Sequence, residues 1–219
     1  MGSDDLHKKR RERRAIAQKR VMLERKQRGR ALVLCEGETE EFYVSVVSKS
    51  VRDKIVIDVS AQCPTCPLGM LKKAKEIVSQ DEDYDRVFLI FDCDVVTPEK
   101  MSKVITMAKE SEFTLIKSDP SFEYWLLVHF NYTRKPFTRL QDKSPSDQVI
   151  SELKKINGMQ GYAKAKSLNM SLLVNNIAEA VTNSKRSISD SQKDGASNPS
   201  TNMYVLIDYL NNPNGEEPL

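Results

Sequence analysis

Short apolar runs alternate with longer segments of mixed polarity from residue 31 onward, and this alternation sets the architecture. Ala31–Cys35, Ile55–Val59, Arg86–Phe91 and Phe113–Lys117 are brief, rich in branched and aromatic side chains, and bounded by polar turns. Runs of that kind read as buried strands. Between them, Thr39 to Val51 places Phe42, Val46 and Val47 at helical spacing, and Pro67 to Ser79 and Pro98 to Ser111 each open on a proline at a first helical position. A further helix is expected over Pro120 to Phe130, with Asp119 as its N-cap and Pro120 as its first residue. Strands alternating with helices of this length predict an α/β core over residues 31–130, built on a parallel four-stranded sheet flanked by helices.

The pattern changes on either side of that core. Asp4 to Arg28 lacks Pro and Gly and is rich in helix formers, but its apolar residues are too sparse for a core-facing stripe, so residues 1–30 are expected to form a basic helical arm. Residues 131–219 read as a mostly helical C-terminal extension. Arg134 to Ser146 is a loop, Ser146–Asn157 and Leu168–Thr182 are helices, and Tyr204–Leu210 is a short closing helix. Ser184 to Thr201 is polar, Ser-rich and nearly devoid of apolar residues, which predicts a mobile loop. No internal repeat is present.

Charge adds an asymmetry that the overall balance hides. The chain of 219 residues carries a formal net charge of +3, yet residues 1–30 hold twelve Lys and Arg against four acids, a local +8 that leaves the remainder at −5. No stretch is long and apolar enough for a bilayer span, and the N-terminus is basic where a signal peptide would be apolar. The four cysteines do not form a disulfide-framework pattern, and Cys35 and Cys93 fall in or beside expected strands. These features predict a cytoplasmic protein with no membrane partner.

Two of the expected strands end in acids. Ala31–Cys35 runs into Glu36-Gly37-Glu38, and Val87–Phe91 runs into Asp92-Cys93-Asp94. Open α/β sheets bind ligands beyond the carboxyl ends of their strands, so Glu36, Asp92 and Asp94 are expected on one rim. Asp92 and Asp94 are two apart and point the same way in extended chain. Glu40 or Glu41, a helical turn after Glu36, is placed to reach the same ion. Gathered carboxylates call for a divalent cation, and hard oxygen donors suit Mg²⁺ or Mn²⁺. Such a site activates water and polarises phosphoryl oxygens with no protein nucleophile. The plain alternative is that these are surface acids at sheet ends. Glu123, in the first turn of the helix after the fourth strand, joins the metal site, orients a water, or simply complements the helix dipole.

At this point the residues resemble a known family. Cys-Glu-Gly-Glu-Thr-Glu-Glu around Glu36, with Asp92-Cys93-Asp94 after the third strand, is similar to the acidic motif of Toprim domains, the metal-binding fold of topoisomerases, bacterial primases and OLD-type nucleases. The segment Ser118 to Phe130, containing Phe-Glu-Tyr-Trp-Leu-Leu-Val-His-Phe, together with Asn198-Pro199-Ser200-Thr201, resembles the RloB-like branch over about residues 30–210. The resemblance implies Mg²⁺ on Glu36, Asp92 and Asp94, general acid/base duty for Glu36, and motif positions at Glu123 and His129. It also implies an association with antiphage defence and with a partner ATPase of the ABC type. A further acid found in some Toprim proteins is replaced here by Val95-Val96 after Asp94, which argues against a second metal.

Other groups are read as follows. His129 is a proton shuttle, or a structural histidine late in its helix. Cys63-Pro64-Thr65-Cys66 has metal-ligand spacing without a second pair, and is a redox pair or a loop. Lys8, Lys9, Arg10, Arg11, Arg13 and Arg14 wrap all sides of the arm helix and suit a polyanion, the alternative being a solvated tail or a partner-protein contact, while Lys164 and Lys166 would reach a phosphate if their loop folds over the rim. The leading expectation is a metal-dependent nuclease acting on DNA or RNA and held latent until a partner acts. The rival from another class is a non-catalytic module that binds nucleic acid or nucleotide and regulates an ATPase. Primase-like synthesis ranks last because no glycine-rich nucleotide loop is visible, and strand passage by a topoisomerase needs a further domain.

Overall fold

A computed structural model describes Arg14 and residues 29–213, apart from residues 82, 94, 95 and 165–168. In chain order the elements are β1 (Gly29–Cys35), α1 (Glu38–Val47) ending in a 3₁₀ turn (Ser48–Val51), β2 (Ile55–Ser60), α2 (Pro67–Gln80), β3 (Arg86–Asp92), α3 (Pro98–Glu110), β4 (Thr114–Asp119), α4 (Phe122–Leu127), α5 (Pro145–Leu153), α6 (Met170–Asn175), α7 (Ile177–Asp194), β5 (Ser200–Thr201) and α8 (Tyr204–Asn211). The sheet order is β2-β1-β3-β4-β5. The first four strands are mutually parallel, and β5 pairs antiparallel with β4 through Ser118↔Thr201 and Asp119↔Ser200. The expectation of a wholly parallel four-stranded sheet is therefore corrected to a mixed sheet of five strands.

Each central strand is apolar on both faces, and the two-residue period divides its side chains between two cores. Ala31, Val33 and Cys35 of β1 and Phe88 and Ile90 of β3 face one side, against α1 and the C-terminal helices. Leu32, Leu34, Val87, Leu89 and Phe91 face the other, against Met70, Leu71 and Ala74 of α2 and Val104 and Ala108 of α3. The first core runs on through Val149, Leu173, Leu206 and Leu210, so the C-terminal segment shares the sheet's interior and adds β5 to its edge.

The expected mobile loop over 184–201 is a second correction. Residues 184–194 continue α7, an eighteen-residue helix whose buried side chains are Ala180, Asn183, Ser184 and Ser187. Ser184 Oγ donates to the Thr201 carbonyl at 2.7 Å, and the Thr201 N–H donates to Ser187 Oγ at 3.2 Å. Small hydroxyl side chains thus replace an apolar stripe and tie the helix to β5. Gly195 ends the helix at φ 72°, in the left-handed region that a Cβ disfavours.

The start of α4 is a third. Asp119 remains in β4 and its carboxylate accepts from the Ser197 hydroxyl at 2.5 Å, while Ser121 takes the N-cap position. Of the arm, Arg14 is helical and exposed. The remaining arm cations named above, Lys8, Lys9, Arg10, Arg11 and Arg13, lie outside the described residues. No helix among the described residues is long and apolar enough to cross a membrane.

Candidate functional site

The sheet order fixes where a ligand can sit. The chain leaves β1 toward β2 on one side and returns to β3 on the other, so β1 and β3 form the topological switch point of the parallel strands. Glu36 follows β1 and Asp92 closes β3 at that crevice. Their backbones are joined by the Glu36 N–H donating to the Ile90 carbonyl at 3.0 Å, and Glu36 Oε2 accepts the Asp92 N–H at 2.9 Å. The Glu36 carboxylate thus lies against the Asp92 backbone on the expected rim, near enough for its charge to act on the Asp92 carboxyl. Asp94 lies outside the described residues.

Asp92 also organises the helix behind it. Its Oδ1 accepts the Phe122 N–H at 2.8 Å, so a rim carboxylate satisfies the first turn of α4, a group that the helix itself leaves without a partner. Glu123, the next residue of α4, lies near enough for its charge to act on the Asp92 carboxyl. Glu123 is 2% exposed and carries a full set of donors: Ser121 Oγ at 2.7 Å and Ser146 Oγ at 3.3 Å on Oε2, Tyr162 OH at 3.0 Å and Lys164 Nζ at 3.2 Å on Oε1. Burial pushes up the Tyr162 phenol, and the adjacent Glu123 charge adds to the effect.

The site carries excess negative charge. Burial pushes the Asp92 carboxyl up to about 9, with Glu40, Glu123 and Glu36 adding to the effect. Burial likewise takes Glu40 to about 7, aided by Glu123 and Glu36 and opposed by Lys164. Partial burial works against the Lys164 charge, but Glu123, with Asp92 and Glu40 behind it, outweighs this and raises its pKa. Gly37 lets the Glu40 carboxylate lie close to the turn, since a Cβ there would stand 2.9 Å from Glu40 Oε2. In donor chemistry this set of hard oxygens fits Mg²⁺ or Mn²⁺. In arrangement, no three His, Cys, Asp or Glu side chains among the described residues stand in a ready ligand geometry.

These shifts set a pH dependence for protein stripped of divalent ions. Asp92 rises from 3.8 to about 9 and Glu40 from 4.5 to about 7 on folding, so the native state holds protons that the unfolded chain releases. Their stabilisation is complete below about pH 4 and is lost as pH rises toward 9. Melting temperature in chelator should fall between pH 5 and 9, and Asp92→Asn should flatten the slope. A melting temperature that climbs with pH over this range would contradict the assignment.

His129 is placed elsewhere. It is fully buried, with Nε2 3.0 Å from Tyr43 OH and Nδ1 2.9 Å from the Trp125 carbonyl, and burial lowers its pKa to about 4. Both ring nitrogens are engaged within the core, which corrects the expectation of a catalytic histidine. His129→Phe should cost about 1–3 kcal/mol in denaturant unfolding and leave any pH–rate profile between pH 6 and 8 in place. Cys63 Sγ donates to the Cys35 carbonyl at 3.1 Å, and Cys66 is an exposed thiol before α2. In the C-terminal segment Lys185 pairs with Asp208 at 2.8 Å and Arg186 stacks over Tyr132 at 4.1 Å. Lys164 is thus the expected phosphate-binding residue that the fold brings to the rim, whereas Lys166 lies outside the described residues. Sequence reasoning missed Ser121, Ser146 and Tyr162, because nothing in their spacing marks three hydroxyls that converge on one carboxylate.

The profile for RloB-like protein matches residues 31–210, most of the chain. The chain belongs to the RloB-like family. Both ends of the matched region bear on the site: β1 leads into Glu36, and β5 and α8 close the sheet beside Asp119. No curated protein and no solved structure matches the chain.

Proposed function

We propose that this RloB-like protein is a divalent-metal-dependent nuclease that hydrolyses phosphodiester bonds in DNA or RNA, with a Toprim-type site at the β1/β3 crevice. The observation that carries the reading is the Glu36 carboxylate held on the Asp92 N–H at the switch point, with Asp92 itself partly buried and Glu40 and Glu123 near enough for their charges to act on it. Glu36 and Asp92, with Asp94 as the third member of the motif, are the residues that would hold Mg²⁺ or Mn²⁺. When bound, such an ion supplies neutralisation of a phosphoryl oxygen and activation of water.

The chain's own residues prepare the rest. The Asp92 and Phe122 N–H groups fix the orientation of the Glu36 and Asp92 carboxylates. Glu40, pushed up to about 7, is matched to taking and returning a proton at neutral pH. Lys164, beside Glu123, offers a phosphate-binding cation at the mouth of the crevice, and the basic residues 1–30 supply further contacts to a polyanion. The RloB-like family's association with antiphage defence extends the proposal to an effector controlled by an ABC-type ATPase partner.

The test is incubation of the purified chain with defined DNA and RNA pools, with and without Mn²⁺, and with and without the ATPase. Metal-dependent cleavage that is lost in Asp92→Asn supports the reading. Nucleic-acid binding without cleavage under every condition would favour a non-catalytic regulatory module instead.

A further inference from the structure

Lys164 differs from the other donors on Glu123 in a way that points to exchange. Ser121, Ser146 and Tyr162 are buried, neutral hydroxyl donors carried on three separate segments. Lys164 is charged, and its side chain is 54% exposed against 3% for Glu123. The three hydroxyls alone suffice to anchor the Glu123 carboxylate, two on Oε2 and one on Oε1. Withdrawal of the ammonium into solvent therefore costs one ion pair and leaves the rest of the network intact. A flexible four-carbon stem with a strongly hydrated head is suited to that movement.

The charge balance supplies the reason to move. Glu36, Glu40, Asp92 and Glu123 surround the crevice, and Lys164 is the cation whose field reaches Glu123, Asp92 and Glu40 together. One ammonium offsets part of that charge, and a divalent ion entering the crevice meets both the carboxylates that attract it and a like charge that repels it.

We infer that Lys164 is an exchangeable counter-ion, occupying the acidic crevice in place of a divalent cation and leaving Glu123 for solvent or a substrate phosphate when that cation binds. The inference rests on the metal-site reading above. It implies that the chain gives up metal affinity in exchange for an acidic site whose charge is partly offset when no metal is present.

Calorimetric titration of Mn²⁺ into the full chain, without nucleic acid, tests it. Lys164→Met should bind Mn²⁺ about tenfold more tightly than the parent, the reverse of what loss of a supporting contact would do. Lys164→Arg, which retains the charge, should remain within about twofold of the parent. Unchanged or weaker binding in Lys164→Met, alongside loss of binding in Asp92→Asn, overturns the counter-ion and leaves the metal site standing. Parent-like binding in Asp92→Asn, or no binding in parent and Lys164→Met alike, overturns both.

Discussion

Asp92→Asn should reduce metal-dependent cleavage by on the order of 10³-fold while the protein remains folded. The substitution preserves the Oδ1 acceptor that holds the Phe122 N–H at 2.8 Å, so α4 keeps its first-turn contact. What it removes is a carboxylate from a position that the proposed function assigns to the metal. A bound metal contributes several kcal/mol of transition-state stabilisation, and a thousandfold loss corresponds to about 4 kcal/mol. Without metal the same change removes the cost of holding an ionisable carboxyl in a partly buried site beside Glu40, Glu123 and Glu36, so the variant should melt at or above the parent temperature at pH 8. Cleavage assays and melting curves on one preparation check both halves. Full activity in a folded Asp92→Asn protein would end the hydrolytic account.

Glu123→Ala should have the second largest effect, and it falls on stability as well as activity. Removal of the carboxylate strands Ser121, Ser146 and Tyr162, which are 0%, 8% and 2% exposed. Each buried hydroxyl left without a partner costs about 1 kcal/mol or more, so a total of about 2–4 kcal/mol is expected from the midpoint of urea unfolding. Lys164 adds little to that sum because its exposed ammonium is simply rehydrated. Glu123→Gln should recover about half the loss, since it retains an acceptor for two of the donors. A Glu123→Ala protein within 0.5 kcal/mol of the parent, roughly the spread of ordinary surface substitutions, would show that the network contributes nothing to folding.

The parts legible from sequence share one property: a strong local signal. The strands β1 and β3 are continuous apolar runs, β2 and β4 each carry a short branched run, α2 and α3 begin at prolines, and Glu36 and Asp92 are adjacent to the apolar runs of β1 and β3 in the chain. What escaped was packing by small polar residues. The buried face of α7 is Ala180, Asn183, Ser184 and Ser187, so past Thr182 its helical period is written in serine, with little apolar contrast. Strand β5 is two residues long and depends on a hydrogen bond between the Ser118 and Thr201 hydroxyls at 2.9 Å, eighty-three positions apart. The two readings of His129 are not separable from sequence for the related reason that burial, which decides its chemistry, is a property of the fold around it and not of its neighbours in sequence.

The late pairing of β5 with β4 also has a consequence during translation. The outer edge of β4 stays uncovered until residues 200 and 201 have left the ribosome, and α8 reaches the shared core later still. Domains fold as units while the chain emerges, and uncovered strand edges are sticky in the interim. A nascent copy that stops short of residue 200 therefore lacks the strand that covers β4 beside the acidic crevice, and the five-stranded sheet is completed only once β5 has emerged.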